Sequence, residues 1–186
     1  KPLVVSVWGS LGAENMNEVM CRFIELAGKK PGFTLVHSAG IEGYEKMVEH
    51  LRRTVPNYEK NGMDVREYIY DMPRVMAAAD LVLCRAGAST ISELTYMHKP
   101  TIFVPSPFVT NNHQFKNAKV VEDAGGALIF EEGWFEPKEL LKAVNDILSS
   151  DDKLEKMSAA MAKLAKPEAT DMICDRIFSL LAENRK

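Results

Sequence analysis

Ala79-Asp80-Leu81-Val82-Leu83-Cys84-Arg85-Ala86-Gly87-Ala88-Ser89-Thr90-Ile91-Ser92-Glu93 is the stretch on which the fold turns. Asp80 to Cys84 is a short apolar run bounded by polar residues, the pattern of a buried strand. Arg85-Ala86-Gly87-Ala88 is a turn of small residues, and Ser89 and Thr90 are residues that cap helix starts. A strand, a tight turn and a helix N-terminus in that order aim backbone N–H groups at whatever lies above the strand, an arrangement suited to phosphate. Glu93, about a turn inside the helix, is placed to accept two hydrogen bonds from a sugar diol. The stretch therefore reads as a nucleotide site.

The same strand–helix alternation extends in both directions. Leu3 to Val7, Phe33 to His37, Val65 to Ile69, Thr101 to Val104 and Ala127 to Phe130 read as further strands. Helical patterns run from the glycine-rich turn to about Gly28, with Val19, Phe23, Ile24 and Ala27 on one face, and over Tyr44 to Val55. A short helix starts at Asp71-Met72-Pro73, and longer ones cover Asn112 to Asp123, Pro137 to Leu148, Asp152 to Ala165 and Pro167 to Asn184. Repeated βα units imply right-handed crossovers and a parallel, Rossmann-like sheet flanked by helices. In such α/β sheets ligands lie beyond the carboxyl ends of the strands, where strand order reverses. The candidate residues all follow strands: Ser10, Leu11 and Gly12 after the first, Ile69 and Met72 after the third, Ala88 to Glu93 after the fourth, His113 and Gln114 after the fifth.

Composition narrows the functional classes. A chain of 186 residues is long enough for one substantial core, and residues 1–186 read as one domain. The net charge of -3 offers no electrostatic footprint for nucleic acid, and no apolar run approaches the ~20 residues of a membrane span. Cys21, Cys84 and Cys174 each sit in an apolar pattern and read as reduced core thiols of a cytoplasmic protein. His37, His50 and His98 are too scattered for a metal site, and no carboxylate or cysteine pair stands at ligand spacing, so no metal is expected. The nucleophile elbow G-x-S-x-G of serine hydrolases is absent. The chain begins at Lys1 and enters a strand almost at once, which reads as a piece of something longer.

Each candidate has a plainer reading. Gly9-Ser10-Leu11-Gly12 is a strand–helix turn that could cradle phosphate but lacks the G-x-G-x-x-G spacing. Arg85 reads as a structural residue that orients its loop or pairs with Asp80. Asn111 or Asn112 reads as a helix cap, whereas His113 and Gln114 suit sugar hydroxyls better than packing. Phe178, Leu180 and Leu181 on the last helix read as core, with a face for a partner domain as the alternative.

V-S-V-W-G-S-L-G-A from Val5's strand, Y-I-Y-D-M around Ile69, the stretch from Ala79 to Glu93, and P-S-P-F-V-T-N-N-H-Q-F-K-N-A from Pro105 resemble, in that order, the C-terminal half of the bacterial peptidoglycan GlcNAc transferases. The resemblance covers essentially the whole chain. It implies the donor-binding half of a GT-B glycosyltransferase that moves N-acetylglucosamine from UDP-GlcNAc to lipid I, making lipid II. By the same resemblance Ser10, Leu11 and Gly12 would contact the diphosphate, and Ile69, with Met72 beside it, the uracil. Ala88, Ser89, Thr90, Ile91 and Ser92 would hold phosphate and sugar, Glu93 the ribose hydroxyls, and His113 and Gln114 the GlcNAc hydroxyls. UDP-GlcNAc is a substrate, and no cofactor is implied. The partners implied are the N-terminal acceptor domain, lipid I and the inner membrane face, on which the full-length protein would be peripheral. That absent half would supply the general base, so this chain is expected to bind donor without catalysing an inverting displacement. Trp8, where the family usually has glycine, and Asn111, where aspartate is common, are departures. A stand-alone donor-binding subunit of a two-subunit lipid-linked GlcNAc transferase and a non-catalytic UDP-sugar-binding module remain open as alternatives, whereas a UDP-GlcNAc epimerase of the same architecture needs carboxylates around the sugar carbon, and the loop from Phe108 to Gln114 carries none.

Overall fold

The computed structural model describes residues 1–9, 12–28 and 30–183. Six parallel strands form one sheet: β1 (Leu3–Val7), β2 (Thr34–Ser38), β3 (Met63–Arg66), β4 (Leu81–Cys84), β5 (Thr101–Phe103) and β6 (Ala127–Ile129). Their spatial order is β3-β2-β1-β4-β5-β6. The order reverses between β1 and β4, whose register pairs Val7 with Cys84. The turns after these two strands thus leave the sheet side by side, at the crevice where doubly wound sheets take ligands.

The helices are α1 (Glu14–Ala27), α2 (Tyr44–Thr54), α3 (Met72–Ala78), α4 (Ala88–Tyr96), α5 (His113–Asp123), α6 (Pro137–Leu148), α7 (Asp151–Leu164) and α8 (Ala169–Glu183). Side-chain alternation along the strands separates two cores. Val4, Leu81 and Leu83 face a layer built with Met16, Met20, Phe23 and Ile24 of α1 and with Leu140, Val144 and Ile147 of α6. Val5, Val82 and Cys84 face the opposite layer, with Met76, Leu94, Val121 and Met161. The central strands are buried on both faces, which is why they read as continuous apolar runs rather than alternating ones.

Local chemistry ends and starts the helices where the fold needs it. Glu136 and Glu139 form a capping box around Pro137, the first residue of α6. Ser150 Oγ accepts from the Lys153 N–H at 3.3 Å to open α7. Several boundaries differ from the sequence reading. β3 spans Met63–Arg66 rather than Val65 to Ile69, because its register with β2 ends at Ser38 opposite Arg66; beyond it Tyr68 and Tyr70 are exposed. Phe33 is buried but precedes β2, and Val104 and Phe130 lie one residue beyond their strands. Asn184, the expected end of the last helix, lies outside the described residues.

Two expectations about the core are corrected. The whole of α8 packs without a single buried residue, so Phe178, Leu180 and Leu181 are surface residues and not core. Ile173, Ile177, Leu180 and Leu181 recur at helical spacing and form an exposed apolar stripe. Of the three thiols only Cys84 is a core residue, since Cys21 is half-buried and Cys174 lies exposed on α8.

Candidate functional site

Two helix N-termini flank the β1–β4 crevice. α4 starts at Ala88, with Gly87 in the N-cap position and no side chain capping it. Ser89 and Thr90 are therefore not caps, as their type suggested, but residues of the first turn. Glycine at the cap satisfies none of the helix's free N–H groups, so those of the first turn stay available to an outside acceptor. α1 starts at Glu14 after Ala13, again without a side-chain cap. Between β1 and α1 the described parts of the turn are Gly9 and Gly12, with the Gly12 N–H bonded to the Gly9 carbonyl at 3.2 Å. Ser10 and Leu11, both expected at the diphosphate, lie outside the described residues.

Gly12 must be glycine for two reasons. Its φ is +77°, and a Cβ there would stand 2.3 Å from the Ala39 carbonyl oxygen. The turn is thereby pressed onto the loop after β2.

Glu93 lies exposed on α4, with no ion pair among the described residues. Ile91 is half-buried behind the same turn, and Ser92 Oγ donates to the Ala88 carbonyl at 3.1 Å. Ile69 follows β3 with its side chain buried in the second core, so only its backbone can meet a ligand. Met72 opens α3 and packs partly against the same core.

The loop after β5 presents a fixed donor and acceptor pair. His113 Nδ1 lies 3.0 Å from the Thr110 carbonyl. A carbonyl only accepts, so Nδ1 carries the proton, and in the neutral form of the ring Nε2 is an acceptor. Gln114 Oε1 accepts from the Ser106 N–H at 3.0 Å, leaving its NH₂ to donate outward. Asn111 and Asn112 do not cap α5 with their side chains, as expected of them. Both sit in the left-handed region, at φ 55° and 52°, where asparagine is better tolerated than most side chains.

Arg85 behaves structurally, but not with the expected partner. Asp80 accepts from the Leu3 N–H at 2.7 Å, while Arg85 pairs with Glu132, after β6, at 2.6 Å. Arg85 Nη1 also donates to the Val104 carbonyl at 2.9 Å. The guanidinium lies over Trp8, 5.9 Å from the ring centroid. Trp8 is buried, and its indole N–H has no partner among the described residues. Glu132 Oε1 accepts from Asn15 Nδ2 at 3.2 Å, joining the loop after β6 to the first turn of α1. Glu132 was not singled out in the sequence, since a lone acid in a loop carries no local signal; its meaning comes from the half-buried arginine opposite.

A cavity of about 760 Å³ runs between α1 and α2, with Gly12 and Gly43 at one end. Among its lining residues Lys46 pairs with Glu14 at 2.8 Å, and Arg22 and His50 each contact Glu25 at 2.8 Å. None of the β4 or β5 site residues lines it. Among the described residues no group of three His, Cys, Asp or Glu side chains is placed to hold a metal ion.

Residues 3–173 match the family model described as glycosyltransferase family 28 C-terminal domain. The chain is 39% identical over 174 residues to the UDP-N-acetylglucosamine–N-acetylmuramyl-(pentapeptide) pyrophosphoryl-undecaprenol N-acetylglucosamine transferase of Caldicellulosiruptor saccharolyticus, covering 93% of this chain and 46% of that protein. It is 35% identical over 180 residues to the protein of that name from Acetivibrio thermocellus, covering 97% of this chain and 48% of that one. The crystal structure of Acinetobacter baumannii MurG superposes with a TM-score of 0.83 at 29% identity, over 96% of this chain and 52% of that structure's. The chain thus spans about half the length of the curated relatives it matches.

Proposed function

Since this chain belongs to the glycosyltransferase family 28 C-terminal-domain family, we propose that it is the donor-binding half of an inverting transferase that moves N-acetylglucosamine from UDP-GlcNAc to lipid I, yielding lipid II. One observation carries the reading: the turns after β1 and β4 emerge side by side, each leading into a helix without a side-chain cap. Such paired N-termini provide N–H groups and partial positive charge for a diphosphate. Among the described residues no unpaired basic side chain is needed, since Arg85 is already neutralised by Glu132.

In this reading Ser10, Leu11 and Gly12 hold the diphosphate from one side, and Ala88, Ser89, Thr90, Ile91 and Ser92 from the other. Glu93 takes the ribose diol. The peptide groups of Ile69, beside Met72, pair with the uracil edge, and His113 Nε2 and the Gln114 amide bracket the GlcNAc hydroxyls with one acceptor and two donors. As the C1–oxygen bond breaks, negative charge grows on the departing diphosphate. Prearranged backbone N–H groups stabilise that charge without reorganising. The acceptor hydroxyl, its general base and the membrane-facing surface belong to the remaining half of the protein, which docks on the apolar stripe of α8. Among the described residues no helix is long and apolar enough to cross a membrane, and the full protein would work at the cytoplasmic membrane face as a peripheral enzyme.

Calorimetric titration of UDP-GlcNAc, UDP and ADP, with Glu93→Ala beside the parent, tests the assignment. Hydrogen bonds to a charged group contribute roughly 1.5–3 kcal/mol each. UDP is therefore expected to bind in preference to ADP, and to bind about tenfold or more weakly to the variant. Equal affinity for UDP and ADP, or a variant that binds like the parent, would overturn it.

A further inference from the structure

A chain of buried polar groups runs beneath the glycine turn, from the middle of the sheet to the Ala39 carbonyl. Asn17 Nδ2 lies 2.8 Å from that carbonyl oxygen. A carbonyl cannot donate, so this atom is the amide nitrogen, and Asn17 Oδ1 is left as an acceptor. His37 Nε2 lies 3.2 Å from Oδ1 and must be the ring's protonated nitrogen. His37 Nδ1 is then unprotonated, and Ser6 Oγ, 3.0 Å away, donates to it. Ser6, His37 and Asn17 are all buried. Every donor in the series points the same way, from β1 through β2 and α1 to the loop after β2.

The series ends where the glycine turn begins. A Cβ on Gly12 would meet the Ala39 oxygen at 2.3 Å, and one on Gly43 would meet Asn17 Nδ2 at 2.2 Å. Two glycines therefore close on this one amide–carbonyl pair, and the carbonyl is held from behind by Asn17 alone among the described side chains. Burial keeps the imidazole neutral, with its pKa pushed down to about 3, so the direction of donation stays the same across the physiological range.

We infer that Asn17 and His37 are positioning residues for the donor diphosphate: they fix the Ala39 carbonyl against which Gly12 sets the phosphate-binding turn. This rests on the donor-site reading above, and adds to it a group of residues that never touch the nucleotide. A satisfied buried network of this kind holds one geometry, whereas a half-satisfied one does not. Asn17→Asp keeps the shape but turns the Ala39-facing donor into an acceptor. Ser6→Ala removes only the first donor.

The test compares UDP with uridine, by ligand-observed NMR titration of the parent, Asn17→Asp and Ser6→Ala. In the parent UDP binds more tightly than uridine, by virtue of the diphosphate contacts that the turn shares with the start of α4. Asn17→Asp is expected to lose tenfold or more of its UDP affinity while uridine affinity stays within twofold. Should Asn17→Asp fail to fold, Ser6→Ala carries the same comparison, with an expected loss of threefold or more for UDP only. Equal weakening of both ligands in a folded variant, or no weakening, overturns the positioning role while leaving the donor site intact. A parent that does not prefer UDP to uridine overturns the donor-site reading, and the positioning role with it.

Discussion

The Arg85 guanidinium is held between the Glu132 carboxylate, 2.6 Å away, and the Trp8 ring, 5.9 Å from its centroid. Both charged side chains are largely out of solvent, at 15% and 8% exposure. Removing one member of such a pair strands the other charge, at about 3–5 kcal/mol, whereas removing both is much less damaging. Arg85→Met should therefore destabilise the chain by about that amount, and Arg85→Met with Glu132→Gln by distinctly less. Urea unfolding of the two singles and the double measures the coupling. Strictly additive losses would mean that the pair does not act as a unit.

Gly9 and Gly12 bound the same turn but differ in their tolerance of a side chain. Both have positive φ, at +103° and +77°. A Cβ on Gly9 would meet nothing within 4 Å, whereas one on Gly12 would strike the Ala39 backbone. Gly9→Ala then bears only the backbone strain, of order 1–3 kcal/mol. Gly12→Ala adds a displacement of the loop after β2 and should lose more stability and nearly all UDP binding. Chemical denaturation and calorimetry on both variants decide this; equal effects would place the constraint in φ alone.

Much of this architecture was legible because proline and glycine punctuate it. Pro137 opens α6 where the sequence placed it, and Pro56 follows the end of α2. The order of strands and helices followed from alternating periodicity, and belonging to the family confirms the Rossmann-like class. What stayed hidden is non-local. Ser89 and Thr90 look like caps by type, but Gly87 takes the cap position because the small-residue turn ends there. The arginine's partner is an acid on the far side of two more strands, and no spacing rule connects them. His37 read only as a scattered histidine, since its partners lie on β1 and α1. The stripe on α8 was visible as periodicity, but periodicity marks an apolar face without saying which surface covers it.

His37 makes folding sensitive to mild acid. Its folded pKa is lowered from 6.5 to about 3 by burial. Below about pH 6.5 the unfolded chain takes up a proton that the folded chain refuses, so stability is fully present above that pH. It is lost as pH falls, by about 1.4 kcal/mol per unit down to about pH 3. Glu25 works in the same direction at lower pH: burial raises its pKa, but hydrogen bonds from Arg22 and His50 prevail and lower it. Urea unfolding of the parent and His37→Gln at pH 7 and pH 5.5 separates the two groups. The parent should lose stability over that interval and the variant should lose less; parallel losses would assign the acid sensitivity elsewhere.

The three thiols report the state of α8. Reactivity follows access and thiolate character. Cys174 is exposed on α8, and Cys21 is half-buried, with burial raising its pKa to about 11. Cys84 is enclosed between β1 and β5, and burial pushes its thiol well above the ordinary range. A disulfide reagent at pH 8 should thus modify Cys174 first, Cys21 slowly and Cys84 only on unfolding, with mass spectrometry of the peptides giving the order. Covering the stripe formed by Ile173, Ile177, Leu180 and Leu181 must slow Cys174, which sits beside Ile173 on the same helix. Repeating the labelling on the full-length protein should therefore protect Cys174 at least tenfold. Unchanged Cys174 kinetics there would show that the N-terminal half proposed above does not use α8 as its docking face.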